Sequence, residues 1–160
     1  MIISIKNNIL ITLLICLLIG CGFQLRGAIE ANFDSISING GSEGFVKQLK
    51  KRLRQSSIEV KASGGEIILE ITEDKLEKRI LSLNSSGRVS EYELKYIIAY
   101  RIKSEKEAEW GQLINSEVRR QYTFDDENVV AKALEEENLI KGMQDELIRT
   151  MIAQISLQVI

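Results

Sequence analysis

The hydrophobic residues of the chain follow two periodicities, which divide it into strands and helices. Ile36 and Ile38 alternate with polar neighbours, and such alternation predicts a strand with one buried face. The longest alternating row occupies every second position from residue 92 to residue 102: Tyr92, Leu94, Tyr96, Ile98, Tyr100 and Ile102. Period two places this tyrosine row on one face of a sheet. We expect the row to pack in the core; a platform for a ligand is the alternative.

Further extended segments flank this row on both sides. They cover residues 58–60, 67–71, 80–83 and 110–124. A charged run from residue 74 to residue 78 interrupts the alternation, and Asn84 to Gly87 has the composition of a turn. Leu113 and Val118 fall on opposite parities of the last segment. That mismatch predicts a bulge or a strand break.

A first helix is expected after the turn at Gly40 and Gly41, with Ser42 as its N-cap. Its apolar stripe consists of Phe45, Val46, Leu49 and Leu53. Its opposite face is basic and carries Lys47, Lys50, Lys51, Arg52 and Arg54. A solvated helix face is the expected explanation of these charges. Contact with an anionic surface or partner is the alternative.

The last element has helical spacing from Glu127 to about Leu157, after a cap at Asp125 or Asp126. Its apolar positions are Val130, Leu134, Ile140, Met143, Leu147, Met151, Ile152 and Ile155. Gly142 weakens the helix interior and allows a bend there. Two helices covering one face of a mostly antiparallel sheet is the simplest way to bury these surfaces. The sequence therefore predicts an α+β fold.

The N-terminus has the pattern of a bacterial export signal. Lys6 precedes an 11-residue apolar run from Ile9 to Ile19, which is shorter than the roughly 20 residues that span a membrane. Leu18-Ile19-Gly20-Cys21 resembles a lipobox, in which the cysteine thiol is acylated and the chain is cut before that cysteine. An uncleaved anchor is the alternative. The expected organisation is a signal peptide over 1–20, a lipidated tether over 21–34 and a single domain over 35–160.

Composition narrows the possible chemistry of the mature chain. Cleavage before Cys21 leaves 140 residues, enough for one domain, with 20 basic and 23 acidic residues and a net charge of −3. No basic excess or known motif indicates nucleic-acid binding. The chain has no histidine, which excludes imidazole bases and histidine-ligated metals. Cys16 leaves with the signal and Cys21 carries the lipid, so we expect no disulfide, no metal and no cofactor.

Three stretches of the mature chain resemble one known family. They are Cys21 to Gly27, Arg79 to Leu94, and Tyr122 to Met143, the last with Ala131-Lys132 and Glu135. Together they resemble the LptE family of outer-membrane lipopolysaccharide-assembly lipoproteins. The resemblance implies two helices against a four-stranded sheet and a non-enzymatic role as a plug inside a β-barrel partner, LptD. It also implies lipopolysaccharide delivery to the outer leaflet, with attachment on the periplasmic side of the outer membrane. The residue directly after the proposed lipidated cysteine is Gly22, whereas an aspartate at this position retains many lipoproteins at the inner membrane. Its absence fits an outer-membrane location.

The resemblance also implies basic contacts to lipopolysaccharide. Lys132 matches the basic residue of the Ala-Lys stretch. In the turn, the position that is basic in the family is Ser85 here, so that Arg88 or Arg79 is expected to replace it. Cationic side chains suit phosphorylated sugars, and arginine suits bidentate contacts in particular.

Two other functions remain as alternatives. A different periplasmic scaffold, such as a pilotin for a secretion pore, would share the anchor without binding lipopolysaccharide. A lipid-anchored hydrolase could use paired carboxylates, for which Glu91 and Glu93 share one face of a strand. Exposed carboxylates on a strand are usually solubilising, so this alternative needs a deep pocket in which acidic side chains converge.

Overall fold

A computed structural model of the chain describes residues 31–158. Five strands and two α-helices follow one another along the chain. They are β1 (Ser35–Gly40), α1 (Glu43–Gln55), β2 (Glu59–Lys61), β3 (Ile67–Leu83), β4 (Val89–Ser104), β5 (Ile114–Thr123) and α2 (Val129–Gln158). A single 3₁₀ turn, Asp126–Asn128, precedes α2. The predicted signal peptide, Cys21 and most of the tether lie outside the described residues.

The strands form one sheet in the order β2-β1-β3-β4-β5. The long strands β3, β4 and β5 pair antiparallel, whereas β1 pairs in parallel with both of its neighbours. The predicted α+β class with two helices on one face of the sheet is confirmed. The sheet has five strands rather than four, because the short segment Glu59–Lys61 pairs with the edge of β1.

The turn between β1 and α1 depends on two glycines. Gly40 and Gly41 have φ values of +76° and +78°, a region that side chains disfavour. Ser42 then caps α1, and its Oγ accepts a hydrogen bond from the Phe45 N–H at 3.4 Å. The stripe of α1 is buried as predicted at Phe45, Leu49 and Leu53.

β3 and β4 form a long hairpin that extends beyond the core. The charged run that was expected to interrupt β3 lies within one continuous strand of 17 residues. Register shifts occur instead beside Ile71 and on either side of Ser82. The predicted core role of the tyrosine row is confirmed, because Leu94 to Ile102 on that face are all buried. Phe45 of α1 stacks on Tyr96, with 6.1 Å between the ring centroids.

The parity mismatch in the last strand has a simple cause. β5 begins at Ile114 and pairs with β4 without a register shift as far as Thr123. Leu113 precedes the strand and is 54% exposed, whereas Val118 is buried inside it. Neither the predicted bulge nor the predicted break occurs within β5; the strand simply begins after Leu113.

The two halves of α2 differ in burial. Its C-terminal half packs in the core through Met143, Leu147, Ile148, Met151, Ile152 and Ile155. The predicted stripe does not continue into the N-terminal half, where Val130 is 78% and Leu134 57% exposed. Tyr100 donates to Gln154 Oε1 at 2.5 Å and ties this helix to β4. Within the described part of the chain, no helix combines the length and the apolar character needed to cross a membrane.

Candidate functional site

The turn between β3 and β4 positions the first of the predicted basic residues. Asn84 organises the turn, because its Oδ1 accepts hydrogen bonds from the N–H groups of Ser86 and Arg88, each at 3.0 Å. Gly87 has a φ of +75°. The Arg88 side chain is 70% exposed, and its Nη1 lies 3.9 Å from Asp126 Oδ2. The guanidinium therefore stays mostly in solvent at the end of the hairpin.

Lys132 lies in the first turns of α2, at the same end of the molecule as Arg88. Its Nζ is 2.8 Å from Glu135 Oε2 and 3.3 Å from Thr123 Oγ1, and its side chain is only 19% exposed. Asp125 is also close: hydrogen bonds from Glu127 and Asn128 lower the pKa of its carboxyl, and the charge of Lys132 adds to this effect. Lys132 is thus a paired, half-buried cation. We call the surface formed by Arg88, Lys132 and the turn the hairpin end.

Arg79 lies on the other face of the sheet. It pairs in register with Glu93, and side chains that face each other across neighbouring strands project from the same face. Arg79 Nε donates to Glu93 Oε1 at 2.6 Å. The structure therefore brings Arg88 and Lys132 to one end and separates Arg79 from them.

Sequence reasoning missed a third cation at the hairpin end, Lys78. Its Nζ lies 4.2 Å from the centroid of the Tyr92 ring and 2.6 Å from Glu136 Oε2. The Tyr122 hydroxyl donates to the same oxygen at 2.6 Å. Burial alone would raise the pKa of Glu136, but hydrogen bonds from Lys78 and Tyr122 outweigh it and hold this pKa below its usual range. Lys78 falls on the parity of Leu76 and Ile80, the apolar side of β3, which is the sequence signal that could have identified it.

Exposed apolar side chains lie on the same strand and helix as Lys78 and Lys132. The exposed members are Ile80 and Leu83 on β3, and Val129, Val130 and Leu134 on α2, each more than half exposed. Tyr92 stacks on Tyr122, with ring centroids 5.8 Å apart, and contacts Phe124 edge-on at 5.3 Å. The hairpin end therefore offers cationic groups next to apolar surface, a combination that suits a ligand with both anionic and apolar parts.

The open face of the sheet does not form the acidic pocket that a hydrolase would need. Glu93 accepts from Arg79, and Glu91 accepts from Ser82 Oγ at 2.6 Å. The hydrogen bond from Arg79 lowers the pKa of Glu93, whereas a general acid at neutral pH needs a raised one. The shallow cavity beside Arg79 and Glu93 has a volume of about 270 Å³. Residues 31–158 contain no group of acidic or cysteine side chains placed to hold a metal ion.

Comparisons with known proteins agree with this architecture. A family model described as "LptE: Lipopolysaccharide-assembly" matches residues 33–155. The solution structure of lipoprotein B from Nitrosomonas europaea is similar at 35% sequence identity and a TM-score of 0.71; the match covers 86% of this chain and 92% of that one. The crystal structure of rare lipoprotein B from Shewanella oneidensis is similar at 27% sequence identity and a TM-score of 0.67; the match covers 79% of this chain and 97% of that one. A minor lipoprotein from Acinetobacter baumannii shares the fold at 18% identity and a TM-score of 0.64, over 80% of this chain and 94% of its own. No curated protein sequence matches the chain.

Proposed function

Because the chain belongs to the LptE lipopolysaccharide-assembly family, we propose that it is the lipid-anchored plug of an outer-membrane lipopolysaccharide translocon. In this role the folded domain fills the lumen of an LptD-type β-barrel, assists the assembly of that barrel and helps to deliver lipopolysaccharide to the outer leaflet. The family is one of non-enzymatic lipoprotein scaffolds. The observation that carries the proposal is the family match over nearly all of the described fold.

The polar character of the open sheet face supports the plug role. Ion pairs cover this face, including Arg79 with Glu93 at 2.6 Å, Lys95 with Glu117 at 3.2 Å, and Arg101 with Glu70. The interior of a large outer-membrane barrel is itself polar. A domain with a flat, ion-paired face can therefore contact such a wall without burying unpaired charge.

The hairpin end is the proposed contact for lipopolysaccharide. Arg88 and Lys132 supply cations for phosphorylated sugars, and the exposed apolar residues around them suit acyl chains. Lys78, on β3 beside the Tyr92 ring, can add to the positive charge of this surface. Arg79 is not part of the proposed contact, since its Nε is engaged by Glu93 on the other face of the sheet.

We expect Lys132→Glu to weaken lipopolysaccharide binding by about tenfold, the effect of losing one charge-assisted contact. The dissociation constant for purified lipopolysaccharide, measured by calorimetry, checks this prediction. Lys106→Glu is the matched control, because it makes the same charge change in the loop after β4, away from the hairpin end. Lys132→Gln removes the positive charge without adding a carboxylate that Glu135 would repel, so it isolates the effect of charge loss. Unchanged affinity in both Lys132 variants would show that Lys132 does not contact lipopolysaccharide and serves only to pair with Glu135.

The plug role is tested by capturing the tagged chain from outer membranes and identifying the β-barrel that accompanies it. We expect an LptD-type barrel, retained by the Lys132→Glu variant because the plug surface is larger than the hairpin end. Recovery of a secretion pore would favour the pilotin alternative instead. Recovery of the chain without any barrel would contradict the proposal.

A further inference from the structure

The outer face of α1 carries most of the basic side chains that lack an acidic partner in the described part of the chain. Elsewhere the cations are mostly neutralised, as Lys75 is by Glu77 at 2.6 Å. The four on α1 have no carboxylate within 4.0 Å among residues 31–158: Lys47, Lys50, Lys51 and Arg54. The remaining basic residue of this helix, Arg52, turns inward and pairs with Asp145 of α2 at 3.4 Å. Of the five basic residues predicted for the outer face of α1, four therefore lie on it.

These four cations repel one another. They lie three or four residues apart along the helix, a spacing at which like charges destabilise it. The only acidic residue of α1 is Glu43 in its first turn, and the chain as a whole has a net charge of −2. Solubility therefore does not require this local positive charge, but an anionic surface outside the domain would relieve the repulsion.

The shape of the region suits a broad contact. Phe45, Leu49 and Leu53 of α1 are buried in the core, so that the helix presents mainly polar and cationic side chains outward. An open groove of about 1050 Å³ runs along it, with Lys141 of α2 on the far wall. Three of the four cations are lysines, whose mobile point charges suit a diffuse anionic layer, whereas specific protein ion pairs favour the planar fork of arginine.

The start of the described chain lies beside the C-terminal end of α1. The Ile58 N–H donates to Leu53 O at 3.0 Å, and the next N–H, that of Glu59, donates to Asp34 O at 2.9 Å. The proposed anchor at Cys21 is 13 residues before Asp34, a reach of at most roughly 45 Å. α1 itself is only about 20 Å long, so its whole cationic face can reach the membrane that holds the anchor.

We propose that the outer face of α1, formed by Lys47, Lys50, Lys51 and Arg54, binds the anionic phospholipid headgroups of the membrane to which the chain is tethered. The contact is electrostatic and lies flat on the headgroups, because α1 has no outward apolar stripe to insert. An acyl chain combined with a polybasic patch is a general route to stable membrane attachment. The reach of α1 to the membrane rests on the proposed Cys21 anchor, whereas the unpaired positive charge of its outer face does not.

Lysine footprinting of the full chain in vesicles tests this proposal. The chain is incorporated into phosphatidylcholine vesicles with or without about 30% phosphatidylglycerol, and the acetylation rate of each lysine is measured by mass spectrometry. We expect Lys47, Lys50 and Lys51 to react at least about threefold more slowly in the anionic vesicles, and this protection to disappear in about 500 mM salt. Lys75, on the opposite face of the sheet, is the internal control and should react equally in both.

A pair of variants gives the test its specificity. Lys50→Glu with Lys51→Glu should abolish the protection of Lys47, whereas Lys95→Glu on the open sheet face should leave it intact. Circular dichroism verifies that both variants are folded. Equal reactivity of the α1 lysines in the two kinds of vesicle would overturn the proposal, as would protection that appears only after a β-barrel partner is added. Neither lipopolysaccharide nor a barrel is present in the vesicles, so the result is independent of the plug role.

Discussion

Replacing Gly40 with alanine is expected to lower the free energy of unfolding by about 2–5 kcal/mol, the combined cost of a positive φ and of overpacking. An ideal Cβ at this position would lie 2.3 Å from the carbonyl oxygen of Ile71, its register partner in β3. That oxygen belongs to the backbone and cannot swing away as a flexible side chain could. The backbone of β1 or β3 must therefore move, and urea denaturation of the purified protein measures the loss.

Two other glycines provide matched controls for this prediction. Gly41 has nearly the same φ, but its Cβ would meet only side-chain atoms, Ile71 Cδ1 at 3.0 Å and Val46 Cγ2 at 3.1 Å. We expect Gly41→Ala to be less damaging, since those atoms can adjust. A Cβ at Gly142, inside α2, would meet nothing within 4 Å, so Gly142→Ala should stabilise the protein by about 1 kcal/mol. Equal losses at Gly40 and Gly41 would assign the cost to φ alone.

Gly40 also illustrates which parts of the fold could be predicted from the sequence. A turn at Gly40 and Gly41 was predicted, because paired glycines after an alternating segment are a local signal. The contact with Ile71 was not, because it depends on the parallel pairing of β1 with β3, which no local pattern specifies. An extended segment at residues 58–60 was also predicted, but its place as a fifth strand was not, because it depends on pairing with β1.

The candidate site shows the same limit. Arg88 and Lys132 were predicted separately, and the fold brings them to one end because Phe124 N–H donates to Ser90 O at 2.8 Å and joins the end of β5 to the start of β4. Arg79 and Lys78 are neighbours in sequence, yet alternation sends them to opposite faces. Period two could have excluded Arg79 and indicated Lys78, had the charged run been treated as part of the strand.

The two proposed contact surfaces lie toward opposite ends of the sheet. β3 has 17 residues and is therefore about 55 Å long. It begins near the tether, where the Glu66 N–H donates to Ser35 Oγ at 3.1 Å, and it ends at the hairpin end. If α1 lies on the headgroups near the anchor, at the periplasmic rim of the proposed barrel, the hairpin can extend from there into the lumen. A single domain could then hold one end at the membrane surface and offer the other to a glycolipid.

Replacing Cys21 with serine is expected to abolish acylation completely, because a serine hydroxyl cannot form the thioether that a thiolate forms. The product should be a precursor that retains residues 1–20, since cleavage follows modification. Its domain should still fold, because the buried core of the described residues begins at Phe33, 12 residues after Cys21. Labelling of cells with a radioactive fatty acid, followed by capture of the tagged chain, measures the attached lipid.

The second cysteine of the chain makes this prediction specific. Cys16 lies within the apolar run of the predicted signal, so Cys16→Ser should leave acylation, cleavage and membrane attachment unchanged. Each buried CH₂ of an acyl chain contributes about 0.8 kcal/mol to membrane binding. In the Cys21→Ser variant these chains are missing, so the folded domain should lose its stable attachment to the membrane. Fatty acid that still attaches to the Cys21→Ser variant, or a chain of mature length in that variant, would contradict lipidation at this residue. The membrane contact of α1 would then have to act without an anchor.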